Sequence, residues 1–351
     1  MLRLPRNAHI WLPGYLKSAV RRRPTLKSVY VMIGDHYEPL RGRASDEVAR
    51  GRVRRWREEW PRIAGLHRDS AGNRPVYTFF YPEEEYRSYL LDPLADMTRD
   101  GIGDVEIHIH HDGEGARDFR DRMEGFINVL NRRHGLLHDE DGQIRFGFIH
   151  GNWALDNSRP DGRYCGLNNE LTILRDLGCY ADFTLPSAPS AAQTRTINSI
   201  YWATDDPDRP KSHDCGVPFT DPNASGDLLM IQGPLALNWR ERKHGLVPRI
   251  EVGELAGDRP VTRDRVRLWL DYAPRIGGDV FVKLFAHGAW EKNTNALLGG
   301  DLDRTFAFLT AECSARGAQL RYVSAWNLYG ALMATRHSAD NVVMCADKVA
   351  V

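Results

Sequence analysis

Three histidines and three acidic residues crowd the segment VEIHIHHDGEG at residues 105–115. Val105, Ile107 and Ile109 alternate with Glu106, His108 and His110, which predicts a strand with one aliphatic face and one ligand-capable face. Imidazole nitrogen and carboxylate oxygen together suit Zn2+ and other first-row divalent ions. An ion with an open position eases deprotonation of water near neutral pH, so the chemistry on offer is metal-assisted hydrolysis. A solvated edge strand is the ordinary alternative.

The same residue types recur at the ends of other strand-like runs. GDHYEP supplies Asp35, His36 and Glu38, and FIHGNW supplies His150, Asn152 and Trp153. CYADFTLP carries Asp182, and VFVKLFAHGAW carries Lys283, His287 and Trp290. One histidine at a strand end is usually structural, whereas several on one rim point to a site. Lys283 precedes His287 by four residues and shares its side of a strand, as a neighbour that lowers the histidine's pKa or as half of a salt bridge. Trp153 and Trp290 are read both as sugar-stacking faces and as packing.

The elements that must position these residues form a regular beat. Strand-like runs fall at 29–35, 76–82, 105–111, 144–151, 179–186, 227–233, 280–288 and 320–325. Helical periodicity fills 46–67, 83–99, 115–134, 166–177, 262–273, 301–316 and 326–336. Such βα alternation predicts an α/β fold, a distorted (β/α)7-8 barrel whose functional face lies at the carboxyl ends of its strands. Residues 1–27 read as an N-terminal arm and 28–351 as a single barrel domain, with 186–226 and 234–260 as long loops on the active face.

Composition narrows the class. Lys plus Arg and Asp plus Glu number 47 each, so no basic field argues for nucleic acid. Five scattered cysteines, an odd number without a CxxC spacing, argue against a complete disulfide framework and for the cytosol. No segment reads as a signal peptide or as a transmembrane helix. The stretch 8–23 is a structural arm by default, with a basic amphipathic contact to a membrane surface as the other reading.

In order and spacing, GDHYEP, the histidine-rich third strand, FIHGNW and LFAHG resemble the motifs of the polysaccharide deacetylase superfamily, which includes carbohydrate esterase family four. The resemblance spans roughly residues 28–330 and implies a metal-dependent deacetylase that removes N- or O-acetyl groups from sugars. It implies Asp35 as catalytic base, His36 as a metal ligand in place of a carboxylate, and His287 as the acid that protonates the leaving group. It implies His110 and Glu114 as further ligands, with Asp112 or His111 as the alternatives to Glu114. His150 stands where the family places an arginine that orients the base, and Glu106 and His108 become groups that orient ligands. The implied cofactor is a divalent ion, Zn2+ first, with Co2+, Ni2+ or Mn2+ as the others. The implied partner is an acetylated amino sugar, oligosaccharide or polysaccharide precursor.

Two rivals come from other chemistries. His108 and His110 form an HxH like that of amidohydrolases, and Asp35 with Asp182 would make the carboxylate pair of a glycoside hydrolase. A barrel that binds glycans without turnover is the non-enzymatic reading.

Overall fold

A computed structural model describes residues 5–20 and 24–347, with side chains as far as 336. Eight principal parallel strands follow the expected beat: β1 (Ser28–His36), β2 (Tyr77–Pro82), β3 (Gly103–Ile109), β4 (Gln143–His150), β5 (Cys179–Asp182), β6 (Leu228–Ile231), β7 (Asp279–Ala286) and β8 (Gln319–Tyr322). They belong to one 13-stranded, mostly parallel sheet, joined by nine α-helices among the described residues. None of those helices is long and apolar enough to cross a membrane.

Alternation divides each strand between two cores. Val31 and Ile33 of β1, Val105 and Ile107 of β3 and Phe148 of β4 pack outward against Trp56, Trp60, Leu91 and Phe119 of the surrounding helices. Met32, Phe80, Ile149, Ala181, Leu229, Ile231 and Phe281 come from six strands and meet inside the curl of the sheet. Each such large apolar side chain contributes roughly 1.5–3 kcal/mol on burial. The helix Asp46–Leu66 shows why its sequence folds locally. Ser45 caps it by accepting from the Val48 N–H, Asp46 and Glu47 sit on its positive end, and Trp56 and Trp60 lie four apart on its buried stripe.

The strand order runs β7-β1-β2-β3-β4-β5-β6, with β8 paired to the first half of β1 and β2 to its second half. The closed barrel expected from the βα count is not formed, because no ladder joins β6 to β7 among the described residues. The reason lies in the 186–226 segment. It contributes an antiparallel strand, Ile200–Ala203, whose four residues pair with all four of β6 and occupy the edge that closure needs. The second long insertion forms an antiparallel hairpin, Ala236–Lys243 with Val247–Glu251. The helix Ala8–Val20 buries Trp11 and Tyr15 in a third cluster with Leu235, Ile250 and Phe285.

Candidate metal centre

The last residues of β1 and β3 converge because β2 lies between the two strands, with His36 level with Phe80 and Pro82 level with His108. On β1, Val29, Val31 and Ile33 face the outer core, so Asp35 shares their side and His36 turns inward. On β3, Val105, Ile107 and Ile109 face outward, and His108 and His110 turn inward. Glu38, two residues beyond His36, closes the group from the loop.

The Nε2 atoms of His108 and His110 lie 3.7 and 3.6 Å from Glu38 Oε1. His108 Nδ1 is 2.8 Å from the Ile149 carbonyl, so that nitrogen carries the hydrogen and Nε2 presents its lone pair. His110 Nδ1 is 2.5 Å from Glu84 Oε1, which orients the second ring in the same way. Glu38, His108 and His110 thus offer three ligand atoms within 4.8 Å of one another. Carbonyl and carboxylate partners behind each imidazole are the arrangement that fixes metal-ligating histidines. The buried Nε2 atoms of His36 and His108 have no hydrogen-bond partner, and the His36 ring lies 5.0 Å from His108 and 4.7 Å from His287.

The electrostatics suit a cation. Burial alone would raise the Glu38 carboxyl, but His108, His287 and Arg41 more than reverse this and hold it at about 2. Burial, reinforced by His287 and His108, drives the His36 imidazole well below its ordinary value. Burial also lowers His287 to about 4 against the pull of Glu38. His110 moves the other way, since Glu84 overcomes its burial and raises it.

Other expected residues lie elsewhere. Asp35 accepts 2.7 and 2.8 Å hydrogen bonds from the Gly288 N–H and the Tyr77 hydroxyl, and burial pushes it up to about 7. It therefore fastens the loop that carries His287 and is not one of the Glu38, His108 and His110 group, although the Glu38 charge adds to its upward shift. Glu114 pairs with Arg122 at 2.8 Å, and Asp112 accepts from the Tyr164 N–H. Neither joins the inner cluster. His111 packs on Phe119 of the outer core, and His150 shares the outward side of Phe146 and Phe148. The two meet each other together with Cys165 and Glu170, a second group of potential ligands. Glu106 accepts from the Gly147 N–H and the Tyr180 hydroxyl and lies 3.4 Å from His138, so it does not orient the ligands above it. With Asp104 and His138 it makes a third group, stacked under Trp326. Asp182 bonds Thr184, and Lys283 spans to the carbonyls of Phe183 and Leu185. Trp290 is exposed beneath the Arg41 guanidinium, and Asn152 is exposed beside Trp153.

Trp153 and Phe285 connect the cluster to a cleft of about 710 Å³, because both line it and both rings lie 5.9–6.4 Å from His36 or His287. The hairpin supplies the facing wall through Lys243, Val247 and Arg249. Sequence reasoning missed Glu84, Glu170 and Cys165. Glu84 sits in the EEE run of a short helical turn, where acidic residues are ordinary and nothing marks the one that reaches His110. No family model matches the chain, and a search of curated proteins finds no match.

Proposed function

We propose that Glu38, His108 and His110 hold a divalent ion, Zn2+ by donor chemistry, and that the chain is a metal-dependent deacetylase acting on an acetylated sugar. The observation that carries this reading is the set of three mutually close ligand atoms whose two imidazoles are oriented from behind, beside an aromatic-lined cleft. A divalent ion held there would polarise an acetyl carbonyl and favour deprotonation of an attacking water. His287 is uncharged at neutral pH and faces the same space, so it can accept the water's proton and pass it to the departing nitrogen or oxygen. Asp35 acts through position, by holding the Gly288 N–H and with it the His287 loop. Trp153 offers a flat apolar face for a pyranose ring. The products are acetate and a free amino or hydroxyl group. At about 710 Å³ the cleft lies in the size range of small-ligand sites, and the hydrogen-bonded Asp35 does not favour the carboxylate-pair alternative.

The test is acetate release from N-acetylated and O-acetylated sugar oligomers by the zinc-loaded chain, against chelator-treated protein. Hydrolysis is expected only with metal, and His108→Ala should lower metal affinity at least about 100-fold and abolish turnover. Metal uptake without acetate release would remove the deacetylase assignment, and undiminished metal binding in His108→Ala would remove the centre itself.

A further inference from the structure

The second ligand group lies across the β3–β4 wall from the first. His111 follows β3, His150 ends β4, Cys165 sits in the connecting loop, and Glu170 opens the helix Glu170–Asp176. All four are buried, His111 being the most exposed at 5%. His111 Nε2 is 2.9 Å from His150 Nε2 and 3.1 Å from Glu170 Oε1, His150 Nε2 is 3.3 Å from the same oxygen, and Cys165 Sγ is 3.3 Å from Glu170 Oε2.

Hydrogen counting shows that something positive belongs there. His150 Nδ1 lies 2.6 Å from the Gly151 carbonyl and must donate to it, so Nε2 is a lone pair. His111 Nδ1 is buried without a hydrogen bond and faces Glu114 Oε1 at 3.4 Å. If its hydrogen is there, then His111 Nε2, His150 Nε2 and Glu170 Oε1 are three acceptors within 3.3 Å with no donor among them. If the hydrogen is on Nε2, the buried Nδ1 is an acceptor set 3.4 Å from another acceptor, the half-buried Glu114 carboxylate. A cation at the centre removes both conflicts.

The sulfur identifies which cation. Cys165 Sγ receives two backbone N–H groups, from Asn157 at 3.2 Å and Leu167 at 3.4 Å, and as a thiol it donates to the Leu167 carbonyl at 3.6 Å and to Glu170 Oε2 at 3.3 Å, a proton that a bound cation would displace. Paired N–H donors stabilise a thiolate, as around metal-bound sulfur. Ligand atoms at bond lengths of about 2.0–2.3 Å around tetrahedral Zn2+ stand roughly 3.3–3.7 Å apart; His111, His150 and Glu170 stand 2.9–3.3 Å apart, and all four ligand atoms lie within 4.8 Å of one another. We propose that His111, His150, Cys165 and Glu170 form a second, closed Zn2+ site whose role is structural. Four protein ligands leave no position for water, unlike the inner centre. The ion ties the loop 151–169 to the ends of β3 and β4, and that loop carries Trp153 to the cleft.

Cobalt separates the two centres, because only this one contains sulfur. Full-length protein is produced in cobalt-supplemented medium and its absorption spectrum and metal content are measured. The expected result is two ions per chain and a thiolate-to-cobalt charge-transfer band in the near ultraviolet. Cys165→Ser should abolish that band, whereas Cys215→Ser, which alters an exposed thiol, should leave it unchanged. His108→Ala should lose one ion and keep the band, so failure of the inner centre is distinguishable from failure of this one. Cobalt-loaded wild-type protein without the band would overturn the proposal, as would a band that survives in Cys165→Ser. The wild-type spectrum decides even if a variant does not fold, and a protonated His111 as sole occupant would give no band.

Discussion

Asp35 and Gly288 form a contact in which neither residue has an easy substitute. A Cβ on Gly288 would stand 2.1 Å from Asp35 Oδ2 and 2.6 Å from the Trp56 ring. Gly288→Ala is therefore expected to cost about 3 kcal/mol or more and to displace His287, read as a lowered thermal midpoint. Asp35→Ala leaves the buried Tyr77 hydroxyl and Gly288 N–H without their acceptor, at a cost of about 2–4 kcal/mol. Asp35→Asn keeps an acceptor for that N–H and should stay within about 1 kcal/mol of wild type at pH 7. The sign of the pH effect follows from the raised carboxyl. The folded state holds the Asp35 proton up to about 7, whereas the unfolded chain releases it near 4. Stability from this group is complete below 4 and declines as pH rises to 7, and Asp35→Asn should lack that decline. A group serving as the reaction's base would instead lose orders of magnitude in kcat on the same change, so turnover of Asp35→Asn separates positioning from base catalysis.

The hairpin Ala236–Lys243 with Val247–Glu251 walls the cleft, and a buried charge anchors it to the helix Arg263–Tyr272. Glu251 accepts from Arg265 at 2.8 and 3.1 Å, from the Trp269 indole at 2.9 Å and from the Gly253 N–H at 3.0 Å. Burial would raise this carboxyl, and Arg265 more than offsets it. Arg265→Met leaves the carboxylate with only Arg259, at 3.5 Å, as a cationic partner and should destabilise by about 2–4 kcal/mol in urea denaturation at pH 7, less in acid where Glu251 takes up a proton. Adding Glu251→Leu should recover much of the loss, and no recovery would mean that packing, not charge, anchors the hairpin. None of this was legible in the sequence, because nothing local marks Glu251 as the one buried acid in a charged segment. The eight principal strands were legible, since each carries its own alternation. Side assignment was also available and only half used. Val105, Ile107 and Ile109 place His108 and His110 inward, and the same parity places Asp35 with Val29, Val31 and Ile33, and His150 with Phe146 and Phe148, on the outer side. What parity cannot give is which loop residue arrives opposite a strand end, as Glu84 and Cys165 do.

At the scale of the whole molecule, the sheet curls without closing, and a buried lysine reaches from β7 toward the strands on the far side of the gap. Lys283 of β7 donates to the carbonyls of Phe183 and Leu185, just beyond β5, at 2.5 and 2.8 Å. The order of pairing could not be read from a strand count, because the pairing of Ile200–Ala203 with β6 depends on contacts within a long insertion. Lys283→Met should leave the Phe183 carbonyl without this donor, while the Leu185 carbonyl keeps the Gly233 N–H at 3.0 Å, and cost about 1–3 kcal/mol. Burial lowers the Lys283 ammonium to about 7, against a weaker opposing pull from Asp182. The folded chain therefore releases this proton near 7 while the unfolded chain holds it to about 10.4. Between those values the unfolded state binds more protons, so this group makes stability rise with pH, by up to about 5 kcal/mol. Other groups titrate over the same range, so the measurement is the difference between wild type and Lys283→Met. That difference in unfolding free energy should widen steadily from pH 7 to pH 10, and a constant difference would mean that the lysine stays charged and the seam is held by an ion.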